Sequence, residues 1–439
     1  MRPAAQIQTA IELLEQIEIE RRPADRLLSS YYRDRRYIGS KDKASISETV
    51  YAVLRQKGRL MWFAQEAEVP NTPRSWIIVL QLLNKQDVDE FFTGEEYTPG
   101  ILNENEANAQ VKISHLIQSN AIDAAPIAVR FNIPEWLVPQ LQESLEGDFE
   151  TEMQALQDRA DLCVRVNTLK TKREDMQRLL QENDISSTVT KYSPWGLTIK
   201  QKVAFNQLDA FKQGLFEVQD QGSQLIALIT QVKAGQKVVD FCAGAGGKSL
   251  AMAAQMNNKG VIHACDVHTK RLENLTRRKK RAGVHNIQLH VLSSERDKWV
   301  KRQSGKADVV LIDAPCTGTG TWRRSPDARW NLEPQNLEAL IALQANILTS
   351  AARLVKPGGK IIYATCSLLK CENEDQIQTF LTEFEDFEPA VFSAQSVFSE
   401  YESLNELDID QDFQLRTSPA KTGMDGFFMS VLQRKKLDS

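Results

Sequence analysis

No run of apolar residues in the sequence is long enough to cross a bilayer. The longest, such as Trp76 to Leu83, fall far short of the roughly 20 residues that a membrane helix needs. Met1 to Arg22 carries glutamates among its apolar positions, which marks an amphipathic helix and not a secretory leader. Cysteine is scarce. Its six copies are scattered between Cys163 and Cys371 with no CxxC pair, which argues against a disulfide framework and against a zinc knuckle. Internal repeats and long low-complexity tracts are missing too. These absences predict a soluble, reduced, cytoplasmic protein with no membrane partner and no metal.

What remains is globular material. With 439 residues, 42% of them apolar and 26% charged, the chain can fill and cover several cores, and its length suggests about two to four domains. The net charge of −4 hides an uneven distribution. Asp87 to Glu106 holds seven acids and no Lys or Arg, and Glu383 to Asp412 holds ten acids and no base. Outside these segments the chain is net basic. Arg21 to Arg59 carries eleven Lys or Arg against four acids, and Lys270 to Arg281 seven against one. Such clustering fits a nucleic-acid binder, and equally fits solvated helix faces.

Hydrophobic spacing divides the chain. Ile7, Ile11, Leu14 and Ile17, and again Ile46, Val50, Val53 and Leu54, follow the helical repeat, so residues 1–130 are expected to be helical. Thr93 to Glu106 reads as an exposed acidic loop. Residues 131–215 read as a small α+β unit, with strands at Leu162 to Val166, Ser187 to Val189 and Trp195 to Ile199 and a helix from Lys172 to Asn183. Residues 216–435 alternate short β-branched runs with helical segments, which implies a mainly parallel, doubly wound sheet. Phe427 to Leu432 is expected to close it as an edge strand.

Asp240-Phe-Cys-Ala-Gly-Ala-Gly-Gly-Lys-Ser249 sits where a strand gives way to a helix, a place where glycines let backbone approach a ligand and free helix amides supply donors. The dinucleotide fingerprint fails because residue 249 is serine. A Walker A loop fails because Cys242 stands where its first glycine belongs. An S-adenosylmethionine loop remains. It wants an acid at the end of the next strand to grip the ribose, and Asp266 stands there.

Two later strands end in cysteine, in Asp313-Ala-Pro-Cys316 and Thr365-Cys366-Ser367. A lone cysteine is usually a small buried hydrophobe. Two at the carboxyl ends of adjacent strands of a doubly wound sheet face the ligand crevice.

Together, Phe241-Cys-Ala-Gly-Ala-Gly-Gly-Lys248, Asp313-Ala-Pro-Cys316 and Ala364-Thr-Cys-Ser367 resemble the RNA cytosine-5 methyltransferases of the Sun/Nop2 type. Further matches, in family order, are Arg165-Val-Asn-Thr-Leu-Lys170, Gln219-Asp-Gln-Gly-Ser-Gln224, Arg323-Arg-Ser-Pro-Asp327 and Asp425-Gly-Phe-Phe428. The helical front, with Ala24-Asp-Arg, Gly39-Ser-Lys-Asp42 and Val50-Tyr-Ala-Val-Leu-Arg55, is similar to the NusB-like RNA-binding domain.

The resemblance implies a NusB-like helical domain, a small RRM-like α+β domain and a Rossmann-like methyltransferase domain. It also implies a monomer that methylates small-subunit (16S) rRNA with S-adenosylmethionine. Cys366 is implied as the thiolate that attacks C6 of cytosine, Asp313 as the group that hydrogen-bonds or protonates N3, and Cys316 as the group that assists release. Cys242, Ala243, Gly244, Ala245, Gly246, Gly247 and Lys248 are implied to line the cofactor, with Asp266 on the ribose and Asp313 beside the methyl donor. A helix-opening surface lysine stays an alternative for Lys248. Arg323, Arg324 and Arg329 with Trp322 and Trp330 suit a splayed RNA strand, against the alternative that the tryptophans are core. Two departures stand out: Ala245 replaces a proline, and Ser293-Ser294 replaces the acid that touches adenine, with Glu295 the nearest substitute. A tRNA target and a non-catalytic assembly factor remain as alternatives. Thr365-Cys366-Ser367 speaks against a DNA cytosine-5 enzyme.

Overall fold

Apolar residues three and four apart in the N-terminal region fold as α1 (Pro3–Glu20), α2 (Ala24–Asp34), α3 (Ser40–Glu66), α4 (Pro73–Leu83) and α5 (Glu104–Gln118). The structure, a computed structural model, describes residues 1–392 and 413–436, so most of the acidic stretch Glu383 to Asp412 lies outside the described residues. Helix ends follow local chemistry. Thr72 and Ser75 form a reciprocal capping box ahead of α4, with Pro73 in its first turn, and Asn103 and Glu106 form another ahead of α5. The predicted stripes Ile7, Ile11, Leu14, Ile17 and Ile46, Val50, Val53, Leu54 are buried together with Trp76 to Leu80. Burying each such side chain contributes about 1.5–3 kcal/mol. No described helix is long and apolar enough to cross a membrane.

The chain divides into two units, Met1–Asp158 with Trp322–Pro334, and Arg159–Thr321 with Gln335–Ser439. The helical unit thus runs past residue 130 and takes up a short segment from far along the chain. In the second unit, β1 (Leu162–Val166), β2 (Ser187–Val189), β3 (Gly196–Ile199) and β4 (Phe216–Val218) form an antiparallel sheet in the order β2-β3-β1-β4. Helices Arg173–Glu182 and Asp209–Lys212 connect β1 to β2 and β3 to β4. This is ferredoxin-like βαββαβ topology. Met176 and Leu180 pack on Val164, Val166, Leu197 and Phe216 to make its core.

The larger sheet contains β5 (Lys237–Asp240), β6 (Val261–Asp266), β7 (Ile287–Val291), β8 (Ala307–Asp313), β9 (Val355–Thr365), β10 (Phe387–Pro389), β11 (Gln414–Thr417) and β12 (Phe427–Arg434). The order is β10-β12-β9-β8-β5-β6-β7, with β11 paired to β12. Strands β5 to β9 are parallel, and the winding reverses beside β5, where β6 and β8 flank it on opposite sides. Ligands of doubly wound sheets bind at such a reversal. One expectation is corrected: Phe427 to Leu432 is not an edge. β12 runs antiparallel between β9 and β10, because its apolar residues Met429, Val431 and Leu432 are buried on both faces of the sheet.

Candidate active site

Four strand ends converge on the reversal: Asp240 of β5, Asp266 of β6, Asp313 of β8 and Thr365 of β9. After β5 the chain turns through Cys242 to Gly246 and enters helix Gly247–Gln255. Gly246 is left-handed at φ 80°, and a Cβ there would lie 2.1 Å from Leu275, so only glycine closes this turn. The Ala243 amide donates to the Cys265 carbonyl at 2.8 Å. Asp266 accepts from the Gly244 amide at 2.8 Å and the His268 amide at 2.7 Å. The acid predicted to grip a ribose thus also braces the loop. Cys242 lies in the loop with its thiol pushed up by burial and by the charges of Asp313, Asp240 and Asp266. Asp240 is buried under the loop, its carboxyl raised to about 7, chiefly by burial. Ser249 donates to one of its oxygens, and the other has no partner.

The loop is held from behind by Arg165 and Gln219, which the sequence motifs contained but gave no role, and by Arg278 and Glu217, which lie outside them. Buried Arg165 of β1 donates to the Gly247 carbonyl at 2.6 Å and to Gln219. Arg278 donates to the Ala245 carbonyl at 2.7 Å and pairs with buried Glu217. Asn167 donates to the Gly214 and Ala282 carbonyls. The ferredoxin-like sheet is therefore bolted to the glycine loop through its first strand.

Lys248 is not a surface lysine. Its side chain is buried and its ammonium lies 2.6 Å from Asp313. Burial alone lowers its pKa, but the Asp313 carboxylate outweighs that, and Cys366 and Asp240 add to it, so the lysine is held above its ordinary value. Beside this ion pair the sulfurs of Cys316 and Cys366 are 3.4 Å apart. The Cys316 thiol is pushed up, first by its hydrogen bond with Cys366, then by burial and by the charges of Cys366 and Glu372. Either sulfur can donate in this contact. All six cysteines are free of disulfides. Among the described residues no group of His, Cys, Asp and Glu is placed to hold a metal ion.

In the arginine and tryptophan cluster after Cys316, Trp322, Arg323 and Arg329 are buried and only Arg324 and Trp330 are partly exposed. Trp322 and Arg329 are fully buried, so neither can stack a base or pair with a phosphate. Arg329 lies 4.8 Å over the Trp322 ring and donates to the Asn132 and Leu156 carbonyls within the helical unit. Arg323 is buried, and half-buried Trp330 donates to the Leu54 carbonyl at 2.8 Å. The physical reason is that Trp322–Pro334 folds into the helical unit. At the other departure, Asp297 accepts from the Ser293 amide and hydroxyl and from the Trp299 amide, and these bonds hold its carboxyl near 2.

Residues 227–433 match the family described as 16S rRNA methyltransferase RsmB/F, and residues 133–206 match the ferredoxin-like domain of RsmF/B-like methyltransferases. A probable ribosomal RNA small subunit methyltransferase B from Synechocystis is 33% identical over 320 residues, covering 72% of this chain and 70% of the relative. Ribosomal RNA small subunit methyltransferase B from Shewanella oneidensis is 27% identical over 404 residues, with 89% and 91% covered. A methyltransferase homolog protein from Pyrococcus horikoshii superposes with a TM-score of 0.58 at 27% identity, over 71% of this chain and 97% of that one.

Proposed function

The chain belongs to the RsmB/F family of 16S rRNA methyltransferases, and from that premise we propose that it methylates C5 of a cytosine in small-subunit rRNA through a covalent adduct on Cys366. The observation that carries this reading is the pair of thiols 3.4 Å apart beside the buried Lys248–Asp313 ion pair.

The loop residues fit S-adenosylmethionine. A Cβ added at Gly244 meets nothing within 4 Å, so open space lies over the backbone there. Asp240 has an unpartnered oxygen beneath the loop. Asp266 keeps acceptor capacity for ribose hydroxyls beyond its two backbone bonds. When bound, the cofactor supplies the electrophilic methyl group. Cys242, Ala243, Gly244, Ala245, Gly246, Gly247 and Lys248 would line it, Asp266 would hold the ribose and Asp313 would lie beside the methyl donor.

C5 of cytosine is a poor nucleophile. Addition of the Cys366 thiolate to C6 turns the ring into an enamine, and covalent activation replaces one hard step by two easier ones. The buried Lys248 ammonium faces that thiolate. Asp313, beside Lys248, gives a hydrogen bond or a proton to N3 and so neutralises the negative charge that develops on the base. Once C5 carries the methyl group, its proton leaves to water, the electron pair restores the C5–C6 double bond and the Cys366 sulfur departs. The Cys316 thiol, hydrogen-bonded to that sulfur, stabilises it as it leaves. The target base must leave its stack to reach these thiols. Exposed Tyr37 amid Arg33, Arg36 and Lys41, and the exposed Lys270, Arg271, Arg277 and Lys280, support RNA as the polymer that carries it.

The test is a denaturing gel of wild type, Cys316→Ala and Cys366→Ala mixed with labelled, unmodified small-subunit rRNA and S-adenosylmethionine. Cys316→Ala is expected to accumulate a denaturation-resistant RNA adduct, and Cys366→Ala to form none and methylate nothing. An adduct that depends on Cys316 instead reverses the two roles. Methylation of a tRNA pool but not of rRNA moves the substrate.

A further inference from the structure

Two consecutive buried residues outside the loop and strand-end motifs bond to the neighbours of both cysteines. Glu372 and Asn373, each fully buried, follow β9 in a short turn. Glu372 accepts the Thr317 amide at 2.9 Å, the Thr317 hydroxyl, and the Gln344 side-chain amide at 2.9 Å. The same Gln344 nitrogen donates to the Pro315 carbonyl at 2.9 Å. Pro315 and Thr317 flank Cys316, so Glu372 and Gln344 close a ring around its backbone. Asn373 repeats the device on the other strand. It donates to the Ser367 carbonyl at 2.9 Å and accepts the Thr365 hydroxyl at 2.5 Å, and Thr365 and Ser367 flank Cys366. The Tyr363 hydroxyl donates to the Glu372 carbonyl at 2.7 Å and anchors the turn.

A buried carboxyl group is costly unless its hydrogen bonds are filled. Among the described residues the Glu372 side chain is bonded by Thr317 and Gln344. Side-chain networks of this kind lock a single backbone geometry. Neither residue faces the glycine loop through any of these bonds. Their shared output is the position of two sulfurs.

We propose that Glu372 and Asn373 are the positioning pair of the active site, each fixing the backbone on both sides of one cysteine so that the two thiols stay in register. The roles of the cysteines rest on the methyl-transfer reading above; the clamp itself does not. Loss of the Glu372 half frees Cys316 and slows release of the adduct, whereas loss of the Asn373 half frees Cys366 and slows adduct formation.

Two measurements test it on the full chain. The first uses phenylarsine oxide, which two adjacent thiols capture together, forming two As–S bonds and releasing water. Wild type is expected to take up one arsenical across Cys316 and Cys366, read by intact mass and by protection of both thiols from alkylation. Glu372→Ala and Asn373→Ala are expected to do so about tenfold more slowly, the scale of loss that follows from misplacing a reacting pair. Glu372→Gln preserves the shape. Its oxygen still accepts the Thr317 amide and its nitrogen donates to the Thr317 hydroxyl, so capture recovers to near wild type. Wild-type capture rates in both alanine variants overturn the clamp whatever the RNA assays show.

The second measurement is the denaturing gel with rRNA. Glu372→Ala is expected to enrich the adduct and Asn373→Ala to deplete it, with S-adenosylmethionine affinity unchanged in both. Equal loss of adduct in the two variants overturns the division of labour. Normal arsenical capture with no adduct in any protein, Cys316→Ala included, refutes the methyl-transfer reading and leaves the clamp standing.

Discussion

Residues 313–320 and 322–334 are neighbours in sequence and look alike on paper, rich in the residue types that carry chemistry. The first stretch leaves β8 at the sheet reversal, and its Asp313 and Cys316 meet Lys248 and Cys366. The second folds into the helical unit, where Trp322 and Arg329 are fully buried. An arginine beside a tryptophan is equally good material for a nucleic-acid contact and for a packed cation–aromatic pair. Only exposure separates the two, and exposure belongs to the fold.

Substitutions on the two sides should therefore fail in different ways. The largest effect is expected from Lys248→Met. It removes the buried cation paired with Asp313, and methyl transfer should fall by about 10²- to 10³-fold, the scale of losing one preorganised charge. Single-turnover transfer of labelled methyl to rRNA measures this, and a loss under about tenfold would remove Lys248 from the chemistry.

Next comes Arg329→Ala. It leaves the Asn132 and Leu156 carbonyls unpaired and strips the packing from Trp322, so the helical unit should lose about 3 kcal/mol. Hydrogen exchange in α1 and α3 reads that loss. The salt dependence of rRNA binding should not change, because a buried arginine releases no counterions. A shallower salt slope in this variant would break the comparison and return Arg329 to the RNA.

The smallest effect is a pH dependence confined to the sheet strands. Asp240 rises from 3.8 to about 7 on burial. Between those values the folded chain holds more protons than the unfolded one, so this group lowers stability as pH rises. His263 of β6 falls from 6.5 to about 4, first by burial and then by His290, whose ring nitrogen is 2.9 Å away, and by Lys237. The folded chain holds fewer protons there, so this group raises stability as pH rises through the same window. The two oppose each other in wild type. Asp240→Asn should expose a rise in β5 and β6 exchange protection with pH, and His263→Phe a fall, with α1 and α3 unmoved. Parallel slopes in both variants would contradict these assignments.

The parts of the site that were legible are those where the backbone does the work. A glycine loop declares itself because Gly246 must take a positive φ against Leu275. Asp266, Asp313 and the two cysteines declare themselves because each ends a β-branched run. The clamp left no such trace. Glu372 and Asn373 sit in Lys370-Cys-Glu-Asn-Glu374, a charged and polar string with no apolar period to mark it as buried, and Gln344 lies within a helix whose pattern gives no reason to bury it. Arg165 and Gln219 were visible as motif letters, yet their role as braces behind the loop depends on where the ferredoxin-like sheet docks.

By itself, then, the sequence determined the helical stripes, the alternation of strands and helices and the glycine turn, each set by local periodicity or by one residue's backbone preference. The candidate roles of Cys366, Cys316 and Asp313 came from the family resemblance of their motifs. The tertiary structure alone decided that β12 runs inside the sheet, that Lys248 turns inward to Asp313 and that Trp322 and Arg329 are core. It also decided that two sulfurs 50 residues apart lie 3.4 Å from each other. These outcomes depend on which side chains lose their water, and that is fixed only when distant segments pack.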